Sequence, residues 1–266
     1  MRIYLINLER RPDRLAAMTA RAEALGLALE RVEAVDAAAV EPGVLERWFE
    51  EDGPLGEIPR GDKACLLSHR LAWEKFLARG DAHAVFLEDD VVLSRGAAEI
   101  LANDAWIPPG ASVVKLEHYG PKGQRVLLTN LRATRDGFKT GRMLSRHTGA
   151  AAYILSRPAA ELLLRQTRFD LPVDHLLFNP NNSALFAPLA PLQLLPAIAR
   201  QEQFVGVKSD IEGTRKPLRA LSPTYVKREL VRFGYDLKLL PRQIAALLTG
   251  ARFVAVSTTP YQPGGA

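Results

Sequence analysis

In HAVFLEDDVVLS, residues 83–94, three carboxylates, Glu88, Asp89 and Asp90, sit between two apolar triplets that read as strand interior or its exit. Along an extended chain alternate side chains point to opposite faces, so Glu88 and Asp90 are expected to share one direction and Asp89 to take the other. An acid-x-acid pair of this kind can grip a hard cation, which draws oxygen ligands from one or two carboxylates and the rest from substrate phosphates and water. In an open parallel sheet, ligands gather at the carboxyl ends of the strands, which is where these acids fall. A competing reading is that they cap a following helix, since Asp precedes many helical turns. Asn7, Arg10, Arg11 and Arg14 follow the first apolar run at a helix start, where side chains and backbone N–H groups can hold phosphate. For Arg10 and Arg11 plain solvation competes with that role, and Asp13 reads equally well as a helix cap. Ser68 and His69 do not form a nucleophile and base, because neighbours in a helix do not face each other. Cys65 is the single cysteine, which excludes an internal disulfide and a multi-cysteine metal site; it reads as a small buried hydrophobe. The chain has no glycine-rich loop of Walker or dinucleotide spacing, which argues against a nucleotide triphosphatase or a dehydrogenase.

The elements that must position these groups alternate in type. RIYLINL (Arg2 to Leu8) reads as a buried strand, and the helix after it starts near Pro12 and ends at Gly26. LERVEAVDA (Leu29 to Ala37) reads as a second strand, and DKACLLSHRLAWEKFLARG as a helix closed by Gly80. Strands are expected again at AVFLEDDVVL, SVVKLE (Ser112 to Glu117), RVLL (Arg125 to Leu128) and GAAAYIL (Gly149 to Leu155), the last leading into the helix RPAAELLLRQ. This order predicts an α/β fold with a mainly parallel mixed sheet flanked by helices.

At 266 residues, with 47% apolar and 24% charged residues, the composition is that of an ordinary globular chain. The first twenty residues turn charged too early for a signal-peptide core, and no later run approaches the ~18 apolar residues of a membrane span; the expectation is a cytoplasmic protein. The net charge of +5 is concentrated: Lys208 to Arg252 holds ten Lys or Arg against four acids, leaving the rest close to neutral. Residues 1–213 are therefore read as the main domain, 214–254 as a basic helical C-terminal segment and 255–266 as a disordered tail. Two readings of the basic segment stay open. One is peripheral contact with an anionic membrane, at the cytoplasmic face of the inner membrane; the other is helices packed on the main domain with their solvated face outward. Nucleic acid is not expected as a partner, because the segment lacks aromatic interleaving of the recognised kinds.

INLERRPDR (Ile6 to Arg14), GDKACLLSHRLAWEKF (Gly61 to Phe76), FLEDDV (Phe86 to Val91), HTGAAAYILSRPAAELLL (His147 to Leu164) and LPVDHLLF (Leu171 to Phe178) resemble, as an ordered set, family 25 glycosyltransferases. These are bacterial lipooligosaccharide enzymes with relatives that glycosylate collagen, and the resemblance covers about residues 2–211. It implies a GT-A type fold, a nucleotide-sugar donor, most familiarly UDP-galactose, a glycan or glycolipid acceptor, and a divalent metal, usually Mn2+, with Mg2+ as the other choice. On that basis Asp90 and Glu88 are the expected metal ligands. Asn7, Leu8, Arg14, Ser68, Asp89, His147 and Thr148 are the expected donor contacts. Asp174, in PVDH, is the candidate general base, since an inverting transfer needs a carboxylate to take the acceptor hydroxyl's proton; His175 could tune it. Pro196 to Gln201 and Ser209 to Ile211 resemble the family's later segment and are read either as bordering the acceptor or as loop that carries no chemistry. Where the family reads Gly-Glu-Ile-Gly-Cys this chain has Gly61-Asp62-Lys63-Ala64-Cys65, which leaves a non-catalytic glycan- or nucleotide-binding module as the alternative.

Overall fold

The computed structural model describes residues 1–41, 43–120, 124–202 and 223–260. β1 (Arg2–Asn7), α1 (Pro12–Glu23) and β2 (Leu29–Glu33) open the chain as a strand, helix and parallel strand. Pro12 begins α1 at a position where a missing N–H costs nothing, and Gly26 at φ +68° turns the chain out as Leu27 N bonds back to Ala22 O. α2 (Arg60–Leu77) then crosses to β3 (His83–Glu88), which lies parallel to β1 with Ile6 opposite Glu88. β4 (Val91–Leu93), α3 (Ala97–Leu101), β5 (Val113–Lys115), β6 (Glu117–His118), β7 (Arg125–Ala133), β8 (Lys139–Met143) and β9 (Ala152–Ser156) follow. The chain continues through α4 (Arg157–Leu164), α5 (Val173–Phe178), α6 (Phe186–Leu189), β10 (Leu192–Leu195), β11 (Ala199–Gln201), α7 (Pro223–Leu248) and β12 (Arg252–Ala255).

Nine strands form one sheet in the order β12-β7-β8-β10-β5-β9-β3-β1-β2, and β4, β11 and β6 form a small second sheet. The α/β class and a mixed sheet are as expected, but the large sheet is not mainly parallel. Among its described neighbours three pairs are parallel and five antiparallel. Strand and helix alternate only through the first half. Beyond β3, a short turn at Gly137 joins β7 and β8 directly, and β9 runs back between β3 and β5. SVVKLE is divided: β5 stays in the large sheet, while Glu117 passes to β6 in the small one.

Both faces of the large sheet are covered. Tyr4, Ile6, Ala84 and Phe86 belong to the core beneath α2 and α4, and Ile3, Leu5, Val85 and Leu87 to the core on the side of α1 and α3. Phe86 stacks between Tyr4 and Tyr153, with ring centroids 5.6 and 5.3 Å away. The interior also holds a polar layer. Lys115 and Glu117, both fully buried, pair at 2.8 Å; the Lys115 ammonium also donates to Gly149 O and lies 4.4 Å over the Phe178 ring. Glu117 accepts from Ala151 N at 3.0 Å. His147 is buried beside it, with Nδ1 2.8 Å from Gln193 Oε1 and Nε2 3.2 Å from the backbone of Tyr119.

The C-terminal segment differs from the sequence expectation in two ways. Residues 214–254 are not purely a helical extension: α7 is one helix with Pro241 inside it, and it leads into β12, the edge strand paired antiparallel with β7. Residues 255–266 are not disordered throughout. Val256 N bonds Gln124 O, Ser257 O accepts from Ala197 N at 2.8 Å, and Thr259 N donates to Ala197 O at 3.0 Å. Their low apolar content gave no periodic signal because they are held by backbone pairing to residues far away in sequence.

Burial pushes the His147 imidazole down from its usual 6.5 to about 3, with the Lys115 charge acting in the same direction. The folded state therefore refuses a proton that the unfolded chain takes up. This stabilisation is complete above pH 6.5 and is lost as pH falls toward 3, with a slope of at most about 1.4 kcal/mol per pH unit. Urea unfolding of the wild type and His147→Gln between pH 7 and 4 is expected to show a shallower acid-side loss in the variant.

Candidate functional site

Glu88 continues the row of Ala84 and Phe86 on β3 and so faces α2. There its Oε1 lies 3.2 Å from His69 Nε2 and 3.9 Å from Cys65 Sγ. Burial lowers His69 to about 3, so the ring is neutral. With Glu88 ionised, Nε2 donates to it and Nδ1 accepts from the Tyr153 hydroxyl at 2.8 Å, which itself accepts from the Trp73 indole at 2.8 Å. β3 ends at Glu88, and Asp89 and Asp90 form the turn into β4. A strand follows the acids, so they do not cap a helix. The alternation expected to pair Glu88 with Asp90 stops at the turn, yet all three acids line one cavity.

Asp89 is gripped from two elements: Asn7 Nδ2 at the end of β1 donates to Oδ2 at 2.8 Å, and Arg14 in the first turns of α1 to Oδ1 at 3.2 Å. Asn7 is itself held, since its Oδ1 accepts from Arg31 at 3.1 Å and its Nδ2 reaches Arg11 O at 3.0 Å. Asp90 differs: its buried Oδ1 has no hydrogen-bond partner among the described residues. Burial, then the charges of their neighbours, raise both Glu88 and Asp90. Glu88 is pushed up to about 8, with Glu117, Asp89 and Asp174 adding to burial and Lys115 opposing. Asp90 rises well above the carboxylate range through burial, Glu88 and Asp89, with Arg14 opposing. Two raised carboxylates and an unsatisfied carboxylate oxygen are the donor set that a hard divalent cation takes, so these residues fit a metal of the Mn2+ or Mg2+ kind.

The other wall of the cavity comes from Leu8, Arg10, Arg14, residues 34–38, Gly61, Ala64, Cys65 and Ser68. Ser68 shapes it: Oγ accepts from Val35 N at 2.9 Å and donates to Ala64 O at 2.8 Å, clamping the loop after β2 to α2. Burial and the surrounding carboxylates push the Cys65 thiol up, as suits an unreactive side chain. Of the two departures that change the character of the Gly61 to Cys65 loop, Ala64 is on this wall and Lys63 is not; the Lys63 ammonium lies 5.7 Å over the Phe49 ring.

The expected residues are thus only partly gathered. Leu8, Arg14, Ser68, Glu88, Asp89 and Asp90 share the cavity. Asn7 is 1% exposed and acts on Asp89 from behind. His147 does not reach the cavity; it is fully buried in the polar layer, and Thr148 beside it is half-buried and also off the wall. Asp174 stands at the start of α5, off the cavity wall, with Oδ2 accepting from Gly149 N at 3.3 Å and Oδ1 from His175 N at 2.8 Å. Its charge still raises Glu88 and Cys65, which places it at the same end of the sheet. The N-cap position of α1 is taken by Arg11, not Asp13; Asp13 pairs with Arg11 at 2.7 Å, which holds it down at about 2. Of the stretch expected to border the acceptor, Ala199–Gln201 forms β11 between β4 and β6, and Ser209 to Ile211 lies outside the described residues.

Sequence reasoning missed two groups. Residues 34–38 were read as strand to Ala37, but β2 stops at Glu33 and the loop becomes cavity wall, with Asp36 paired to Arg10 at 2.6 Å. Lys115, Glu117 and Gln193 were not singled out, although opposite charges two apart in an apolar strand are a readable signal for a buried pair on one face.

Residues 1–177 match the profile of glycosyltransferase family 25 (LPS biosynthesis protein). The lacto-N-neotetraose biosynthesis glycosyltransferase LgtB of Neisseria gonorrhoeae is 34% identical over 154 residues, 53% of this chain and 53% of that protein. LgtE of the same organism, of the same description, is 29% identical over 205 residues, 66% of this chain and 70% of its own. The lipooligosaccharide biosynthesis protein lic2B of Haemophilus influenzae is 23% identical over 228 residues, 77% of this chain and 79% of its own. The chain spans about half the length of the LgtB relatives it matches. With the acids of FLEDDV and the residues that hold them falling inside the matched span, the chain belongs to glycosyltransferase family 25.

Proposed function

We propose that this protein transfers a hexose, with galactose as first choice, from a UDP-sugar to a lipopolysaccharide or lipooligosaccharide acceptor, on a GT-A type scaffold in the cytoplasm. The observation that carries the reading is the cavity in which Glu88, Asp89 and Asp90 meet Arg14 and Ser68 at the carboxyl ends of β1 and β3. Family membership and the relatives' printed names support the acceptor class. Asp90 and Glu88 would hold a divalent metal, Mn2+ or Mg2+, which when bound neutralises charge growing on the departing diphosphate. Arg14 stands on the same wall and is placed to meet a phosphate oxygen while it keeps Asp89 fixed. Asp89, oriented by Asn7, presents its remaining lone pairs to the donor's ribose, and Leu8 and residues 34–38 supply wall for the nucleoside. In an inverting transfer Asp174 takes the acceptor hydroxyl's proton as that oxygen attacks the anomeric carbon and the diphosphate leaves. A peripheral contact with anionic membrane would bring the protein to such an acceptor. The alternative of a non-catalytic module rests on the altered Gly61 to Cys65 loop, of which Lys63 points to the Phe49 ring while Gly61, Ala64 and Cys65 line the cavity.

Calorimetric titration of UDP with and without Mn2+ tests the donor site. The wild type is expected to bind in a metal-dependent manner, and Asp90→Ala to lose at least tenfold in affinity; metal-independent binding that survives the substitution would remove the metal from the reading. Asp174→Asn is expected to leave UDP binding intact and to lower turnover by about 10²- to 10⁴-fold, the usual contribution of a general base.

A further inference from the structure

A thiol, an imidazole and a carboxylate converge where α2 meets the end of β3. Cys65 and His69 stand four residues apart on α2, so both project from one face of the helix, and Glu88 reaches them from the strand. Glu88 Oε1 lies 3.2 Å from His69 Nε2 and 3.9 Å from Cys65 Sγ, and the three donor atoms fall within 4.8 Å of one another. A tetrahedral ion with bonds of about 2.0–2.3 Å to O, N and S holds its donors roughly 3.3–3.6 Å apart, so small movements close these three on one ion.

The imidazole also has the support that a metal ligand needs. Its Nδ1 is 2.8 Å from the Tyr153 hydroxyl, which accepts from the Trp73 indole at 2.8 Å. A ligating histidine donates its second N–H to such a partner. With that proton on Nδ1 and given to the Tyr153 oxygen, Nε2 presents a lone pair toward Cys65 and Glu88.

We propose that Cys65 Sγ, His69 Nε2 and Glu88 Oε1 form a binding site for a thiophilic divalent cation of the Zn2+ kind, different in chemistry from the all-oxygen pair of Glu88 and Asp90. The donor set makes the selection: thiolate and imidazole suit Zn2+, whereas Mn2+ and Mg2+ take oxygen. A coordinating thiol is deprotonated outright, and its proton leaves to water. The carboxylates of Glu88, Asp62, Asp174 and Asp90 all act electrostatically on Cys65, and a field of that sign favours a divalent cation beside it. Three protein ligands leave a fourth position for water, as in zinc sites that keep an open place. That position is on the side of the cavity, which Cys65 and Glu88 line while His69 is fully buried behind them. Where Glu88 also serves the donor's cation, which rests on the transferase reading, the two ions compete for one carboxylate and Zn2+ antagonises metal-dependent donor binding.

Cobalt reads the site directly, because a Co2+–thiolate bond gives a near-ultraviolet charge-transfer band. Cys65 is the single cysteine, so the band reports no other thiol. Titration of the chelator-washed full chain with Co2+ is expected to raise it, and Zn2+ to bleach it. Glu88→Gln and His69→Gln are each expected to weaken the Co2+ titration of this band at least about tenfold, the low end even for a supporting partner of a metal ligand. Glu88→Gln removes a charge at nearly constant size and carries the test if the histidine variant unfolds. No thiolate band in the wild type, or a titration that Glu88→Gln leaves unchanged, would overturn the proposal. UDP binding with Mn2+ on the same samples keeps the two readings apart. Its absence from the zinc-free wild type would sink the donor site and leave the cobalt result standing; its indifference to bound Zn2+ would overturn the antagonism.

Discussion

Like charges held together in poorly solvated space set the terms for this structure. Glu88, Asp89 and Asp90 meet at the end of β3, and the charges of Glu117 and Asp174 reach the same volume. Arg14 answers at Asp90 and Lys115 at Glu88, but burial and the like charges outweigh them, and Glu88 rises to about 8. Such an arrangement costs stability unless each acid is given a partner, by hydrogen bond, by ion pair or by a bound cation. Much of the surrounding architecture serves that need: β1 supplies Asn7, α1 supplies Arg14, α2 supplies His69, and β5 supplies Lys115.

Three adjacent residues thereby become three different chemical groups. Asp89 is locked by two donors, and Asn7 is itself locked by Arg31 and the Arg11 backbone, so its orientation is fixed before any ligand arrives. Glu88 is tied on one oxygen to a neutral histidine that a Tyr153–Trp73 pair holds in place. Asp90 is left with an oxygen that nothing among the described residues satisfies. Environment, more than residue type, separates a positioned acceptor of hydrogen bonds from a ligand awaiting a cation.

The polar layer behind the site extends the same logic into the sheet. The Lys115–Glu117 pair holds Gly149 O and Ala151 N, and Gly149 N in turn holds Asp174, so the candidate base is seated through backbone that a buried ion pair has fixed. Gly149 sits at φ +88°, and a Cβ there would come within 2.6 Å of the Tyr119 ring. A glycine is required by the turn and by the ring together. A buried ion pair is weak evidence for stability, but one whose members also satisfy backbone groups from another strand does specify geometry.

The sequence by itself determined the parts whose signals are local. Apolar runs and caps marked β1, α1, α2, β3 and α4, and the acids of FLEDDV announced themselves by interrupting a buried strand. The ordered motifs carried the family. Tertiary structure alone decided what depends on contacts far apart in the chain: that most neighbouring strands of the large sheet run antiparallel, that residues 34–38 are cavity wall rather than strand, and that His147 turns inward to Gln193 and away from the site. It also decided that residues 255–260 are pinned to the protein and that α7 carries its apolar stripe outward. Periodicity tells which residues share a face, and composition tells how many charges a segment holds. Which way that face is turned is settled only by the partner it meets, and for α7 the partner on the protein side is polar.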